Sequence, residues 1–441
     1  MPRCGAETVH AGFVFCPDPH ESAFTMQIAD HHRRGTVGLA LAGGGPEGAI
    51  YEIGVLRALD DALDGLTLTD VPVTVGVSAG AFVGASLANG ITTAQLARSV
   101  IGDEPGEHPF RPELFLSPAF GEYARRALTV PGLALDAVVS ALSSPKATSG
   151  LVSTLIDRLG RAVPVGVFDN APLREYLAQV YARPGRTDDF RQLRNELYVV
   201  ATDLDASTSV RFGAPGRDDV PISLAVQAST ALPGLYPPVE IGGRHYVDGV
   251  LNKTVHASVA FERGAGLVIA VNPIVPVDTE HAVATGAMTA GRLVDRGMPG
   301  VMAQTFRTLI HSRMASGMAA YRKRYEGADL VLFEPRRDDY TMFLTNVFSF
   351  SAREEVIAHA YRSTMAQLRD RAAEVGPVFE RHGIRLRADV LARPKHDLWE
   401  SVGLPAARRP RLLPSTVATR DLRDALADLD EMLGRTDPRP A

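Results

Sequence analysis

Residues 37–42 form a short run of small apolar residues that breaks straight into three glycines, Gly43, Gly44 and Gly45. Apolar residues then recur at helical spacing, with Ile50, Ile53, Leu56, Leu59 and Leu63 on one side. An uninterrupted apolar run suits a strand covered on both faces, and a helix directly behind it supplies the crossover that a parallel neighbour needs. The same order recurs downstream. Residues 71–77 predict a second strand and Ala79–Ala88 a helix of small residues, and 197–202 and 267–271 predict two further buried strands. Strands alternating with helices predict an α/β fold: a three-layer α/β/α sandwich around a mainly parallel sheet, with a helical C-terminal extension.

The chain has 441 residues, 45% of them hydrophobic, enough to build a large core. Its punctuation divides it into four parts. Residues 1–34 are polar with His31 and His32 near their end, and read as a flexible leader. Residues 35–275 carry the α/β rhythm, interrupted by a Pro-punctuated helical insertion at 103–170 that is a candidate lid. Residues 276–400 read as mainly helical. Residues 401–441 read as a Pro/Arg-rich linker and an amphipathic helix with Leu422, Leu426, Leu429 and Leu433 on one face. In the third part, Met298, Met302, Met314, Met318, Phe306, Leu309 and Ile310 lie among Arg307, Arg313, Arg322, Lys323 and Arg324. Such a stripe is read as core, the alternative being a face that meets acyl chains and anionic headgroups.

A formal net charge of −5 argues against nucleic acid as a partner, since phosphate binding needs a basic surplus. Cys4 and Cys16, both in the leader, make no disulfide framework and fit a reducing compartment. The sequence shows no run of spanning length and no long apolar signal region. The expected location is therefore cytoplasmic, with peripheral contact to a membrane left open.

Two chemistries could use the glycine run. Gly43, Gly45 and Gly48 fit the G-x-G-x-x-G spacing of a dinucleotide site. That site also needs an acid at the end of the second strand to bind a ribose hydroxyl. Here the second strand ends in Gly76-Val77-Ser78-Ala79-Gly80, with a serine instead. Gly-x-Ser-x-Gly on a strand-to-helix turn is the pattern that exposes a nucleophilic hydroxyl at a helix N-terminus. Acyl transfer also needs amides that converge on an oxyanion, and a glycine loop offers them without obstruction. Pro46 has no N–H, so Gly43, Gly44 and Gly45 are the candidate donors. The bland reading of Ser78 is a small residue filling a tight turn.

A nucleophilic serine needs a base. Of the histidines after Ser78, none sits in a loop after a late strand, and His245 comes closest. Asp248 is better placed, at a strand end and backed by Gly249. A carboxylate can take the serine proton directly when apolar surroundings raise its pKa. Asp248 as a turn former ahead of glycine, and Asp203 and Asp205 as a strand-end turn, are the competing structural readings.

These residues resemble the patatin-like phospholipase family. Gly43-Gly44-Gly45-x-x-Gly48 is similar to its oxyanion loop, Gly76-Val77-Ser78-Ala79-Gly80 to its nucleophile elbow and Asp248-Gly249 to its catalytic Asp-Gly. Residues 228–239, with Pro233-Gly234, are similar to the segment shortly before that Asp. The resemblance spans about 37–271 and implies a Ser78–Asp248 dyad without a catalytic histidine, no metal or other cofactor, and hydrolysis of acyl esters in lipids or phospholipids. There are two departures. Glu47 stands where the family usually has Arg or Lys, and Val250 is bulky where a small residue is common. The expected function is thus a lipid acyl hydrolase. The alternatives are a serine esterase or thioesterase on soluble substrates, and a catalytically weakened lipid-binding scaffold.

Overall fold

The computed structural model describes residues 33–101, 115–143, 163–276, 278–284, 294, 297–337, 339, 350–393 and 397–404. Residues 1–32 of the leader expected at 1–34, the amphipathic helix after 404 and parts of the 103–170 insertion lie outside the described residues, while Arg33 and Arg34 belong to the first strand.

The sheet is built from β1 (Arg33–Leu41), β2 (Val73–Val77), β3 (Glu196–Asp203), β4 (Thr208–Phe212), β5 (Val239–Ile241), β6 (Arg244–Asp248), β7 (Ala265–Val271) and β8 (Asp329–Phe333). Their order is β5-β6-β3-β2-β1-β7-β8, with β4 also paired to β3. The strands β3, β2, β1, β7 and β8 run parallel, and β4, β5 and β6 make the antiparallel part. In the stretch expected to be mainly helical, Asp329–Phe333 forms β8 and extends the parallel sheet beyond β7. Its Leu330-Val331-Leu332-Phe333 run has the apolar density of a covered strand.

Alternation along the strands creates the layers. Val37, Leu39 and Leu41 of β1 and Leu267, Ile269 and Val271 of β7 belong to the core on one face. Ala40 and Ala42, with Val268 and Ala270, belong to the core on the other. Successive side chains of a strand point to opposite faces, so each strand serves both layers. The first core packs against α1 (Gly45–Ala62), α2 (Ala79–Ala88) and α3 (Ile222–Ser229). The second packs against α4 (Ala257–Glu262) and α5 (Gly297–Arg324). This is the three-layer sandwich expected of the sequence.

Helix α1 is buried on nearly all sides, because α6 (Phe350–Asp370) lies across its outer face. A Cβ on Gly54 would stand 2.6 Å from the Ile357 carbonyl oxygen, so the absence of a side chain sets the distance between the two helices. Arg57 of α1 donates 2.6 Å to Ser401 Oγ and 2.8 Å to Asp60 Oδ2, and Tyr361 of α6 donates 2.7 Å to Asp61 Oδ2. The glycine run at the start of α1 is thereby held on a helix with little freedom to tilt. Among the described residues no helix is long and apolar enough to cross a membrane.

Candidate active site

Ser78 sits between β2 and α2 with φ 54° and ψ −120°, a backbone region that L side chains rarely adopt. The strain turns its side chain out of the strand at the N-terminus of α2, where the helix dipole is positive. Small neighbours make the turn possible. A Cβ on Gly76 would stand 2.6 Å from Ala81 Cα, and one on Gly80 would stand 2.5 Å from the Leu41 carbonyl carbon. The Gly80 amide donates 3.0 Å to the Ala42 carbonyl, which ties the serine turn to the start of the glycine loop.

Strand pairing brings Asp248 to the same place. Val77 pairs with Val200 of β3, and Asp248 pairs with Ala201, the next residue. The opposite edge of β3 is occupied by β4 from Val199 to Asp203, so β2 and β6 share one edge and meet end to end. Gly249 allows that meeting, since a Cβ there would stand 2.3 Å from the Val200 carbonyl oxygen. Asp248 accepts a hydrogen bond at 2.9 Å from the Val250 amide, and the Ser78 side chain stands close enough to favour its ionised form. Both side chains are buried. Burial pushes the Asp248 carboxyl up to about 7, against the opposing pull of the Ser78 side chain and the Val250 amide.

The glycine loop closes over this pair. A Cβ on Gly43 would stand 3.1 Å from Ser78 Cβ and 3.3 Å from Val250 Cγ2, so a side chain there would crowd both neighbours. Gly45 has φ 62° and opens into free space. Gly48 returns its amide 2.9 Å to the Gly44 carbonyl and packs against Pro273. Among the described residues the amides of Gly43, Gly44 and Gly45 donate no hydrogen bond. Three amide donors therefore stand free beside a buried serine whose side chain neighbours a buried carboxyl group.

Ser229, which the sequence reading quoted only as part of a similar segment, has a place in the site. Its Oγ accepts 2.8 Å from the Ser78 amide and donates 2.7 Å to the Val200 carbonyl. Its signal was its position near the end of α3, in the stretch leading to Pro233-Gly234. With the Ser78 amide engaged, the next amide of the turn, Ala79, is the one left without an acceptor among the described residues.

Glu47 neither reaches solvent freely nor stands alone. It is half-buried in the first turn of α1, with Oε2 3.8 Å from an Arg307 guanidinium nitrogen of α5 and Oε1 buried without a hydrogen bond. Burial pushes its carboxyl up to about 7, and Arg307 pulls the other way. The bulk of Val250 packs against the glycine loop at Gly43.

The remaining candidates lie elsewhere. His245 is half-exposed on β6, 3.8 Å from Asp205. Asp203 accepts from the amides of Asp205 and Ala206 at 3.1 and 3.0 Å, which makes it a turn former at the end of β3. His256 is buried, and burial pushes its imidazole pKa down to about 3. Among the described residues neither Ser78 nor Asp248 has a histidine partner. Among the same residues no group of three or more His, Cys, Asp or Glu side chains converges as a metal site would. Of the stripe on α5, Met314 is core, while Met302 and Leu309 are exposed.

The family model of patatin-like phospholipase matches residues 39–261, just over half of the chain. No curated protein is significantly similar in sequence. Among solved structures, VipD from Legionella pneumophila is 14% identical, with 77% of this chain and 68% of VipD covered, at a TM-score of 0.36. The type III effector protein ExoU is 14% identical, with 78% of this chain and 54% of that chain covered, at a TM-score of 0.33. Full-length ExoU in complex with SpcU, from Pseudomonas aeruginosa, is 15% identical, with 84% and 67% covered, at a TM-score of 0.24.

Proposed function

Because the chain belongs to the patatin-like phospholipase family, we propose that it hydrolyses carboxylic esters of lipids, as a phospholipase A or lysophospholipase, through Ser78 and Asp248. The observation that carries the reading is that the strand pairing brings these two buried side chains together beside three unengaged glycine amides. A carboxyl group with a pKa of about 7 is matched to general-base work near neutrality, whereas an ordinary aspartate is too weak a base.

In the acylation step Asp248 takes the Ser78 proton as Oγ attacks the ester carbonyl carbon. The carbonyl electron pair moves onto oxygen, and amides of Gly43, Gly44 and Gly45 receive the charge, with Ala79 as a further donor from the helix terminus. Collapse expels the alcohol, which leaves with the proton held on Asp248. Water then attacks the acyl-serine, again giving its proton to Asp248, and the collapse frees the fatty acid and restores Ser78. One well-placed oxyanion donor is worth roughly 3–4 kcal/mol, so the loop and the base are of comparable weight.

Two measurements test the reading. A fluorophosphonate probe should label wild-type protein and not Ser78→Ala; absence of labelling in folded wild-type protein would leave the scaffold alternative. Hydrolysis of phospholipid or lysophospholipid should rise sharply once the substrate forms micelles or vesicles. A rate that tracks only monomeric ester would point instead to a soluble-ester esterase.

A further inference from the structure

A cavity that the dyad does not line lies between α5, α4 and the residues that follow Asp248. Its volume is about 390 Å³, and none of Ser78, Asp248 and the glycines at 43–45 lines it. Its walls are largely apolar, including Val255, Met314, Met318 and Tyr321. Three cations, Lys253, Arg313 and Arg324, stand among the lining residues, and no carboxylate does. For a chain of net charge −5 this is a local reversal of sign.

The cations are differently held. Arg313 donates 2.5 Å to the Leu251 carbonyl, which fixes its guanidinium and leaves further N–H groups to offer. Arg324 lies 5.7 Å from the centre of the Tyr325 ring, within range of a cation–π contact that orients it. Lys253 is exposed on the turn after β6. None of the three forms an ion pair with a carboxylate among the described residues.

An apolar cavity rimmed by unpaired cations selects an amphiphile with one anionic end. Its volume is near the lower end of small-molecule sites, room for one chain rather than two. We propose that this cavity binds a long-chain fatty carboxylate, its chain against Met314 and Met318 and its carboxylate among Lys253, Arg313 and Arg324. The choice of a fatty acid over other anionic amphiphiles rests on the hydrolase reading, of which it is the product. Arg313 also holds Leu251, three residues past Asp248, so a bound carboxylate would share an arginine with the turn that carries the base.

The test reads binding without turnover, so it does not depend on the hydrolase activity. Oleate is titrated below its micelle concentration into Ser78→Ala protein by calorimetry, with methyl oleate as the neutral control. The expected result is saturable binding at one site for oleate and at least tenfold weaker binding for methyl oleate. Lys253→Gln combined with Arg324→Gln should weaken oleate about tenfold or more, and Met318→Trp, which fills the cavity, should abolish binding. Absence of saturable binding, equal binding of the methyl ester, or an affinity unchanged by the double substitution would overturn the proposal. The double substitution alters exposed side chains only, so it decides the matter even where Met318→Trp fails to fold.

Discussion

The Arg307 guanidinium lies 3.8 Å from Glu47 Oε2, which sets a cation of α5 against the first turn of the helix that carries the glycine loop. The family resemblance leads one to expect a basic residue at position 47, and here the acid and the base stand on opposite sides of one contact. Both side chains are partly exposed, at 21% and 30%, so the pair itself is worth about 1 kcal/mol or less. Reversing one partner costs more than losing the pair, because two like charges then face each other. Glu47→Arg should lower the melting temperature and slow hydrolysis, and adding Arg307→Glu should recover most of both. Thermal melts and initial rates on the four proteins of the cycle measure this. A gain in rate from Glu47→Arg alone would show instead that the native acid weakens the site.

Ser78 holds a backbone conformation that glycine adopts without strain, and such strain costs on the order of 1–3 kcal/mol. Ser78→Gly and Ser78→Ala both remove the hydroxyl, yet only the first also relieves the backbone. Ser78→Gly should therefore be the more stable by about 1 kcal/mol in urea unfolding, with both proteins inactive. Equal midpoints would mean that the turn relaxes in the alanine protein.

Legibility in the sequence followed locality. The strand before Ser78 and the helix Ala79–Ala88 after it were readable because apolar runs, glycines and small residues state their structure within a few positions. Asp248 was readable as a strand end backed by glycine. Which residue it would face depended on β6 entering the sheet beside β3 end to end with β2, a pairing between segments about 170 residues apart that no local pattern encodes. The same holds for Ser229, whose amide acceptor role spans 151 positions, and for Arg307, whose partner at position 47 lies in another layer. Strand β8 was hidden for a different reason: four apolar residues after a long helix fit the end of a buried helix as well as an edge strand.

Ser229 Oγ links the Ser78 amide to the Val200 carbonyl, and all three groups are buried. Removing the hydroxyl leaves a donor and an acceptor without partners, at a cost of roughly 1–3 kcal/mol. Ser229→Ala should lose stability in that range. It should also lower kcat by about ten- to a hundredfold with little change in KM, since the loosened turn misplaces the nucleophile without touching the bound lipid. A KM effect of equal size would place Ser229 against substrate instead.

Asp248 links activity and stability through one proton. Its carboxyl titrates near 7 in the folded protein against an ordinary value of 3.8 when unfolded. Between those values the folded state holds a proton that the unfolded state has released, so stability falls as pH rises through that window. The contribution is fully present below about 3.8 and lost by the time pH has passed about 7. At about 1.4 kcal/mol per unit, the carboxylate weakens the fold at pH 8 by up to a few kcal/mol. Asp248→Asn is neutral at every pH and keeps an acceptor for the Val250 amide. Its melting temperature should exceed that of wild type at pH 8, and the difference should shrink towards pH 4. Activity runs the opposite way. Only the ionised carboxylate can accept the serine proton, so kcat/KM of the wild type should rise with pH through about 7 and level off above it, while Asp248→Asn stays inactive throughout. A melting difference that does not change with pH, or a rate already flat from pH 5 upward, would mean that the buried carboxyl is not the group that takes the proton.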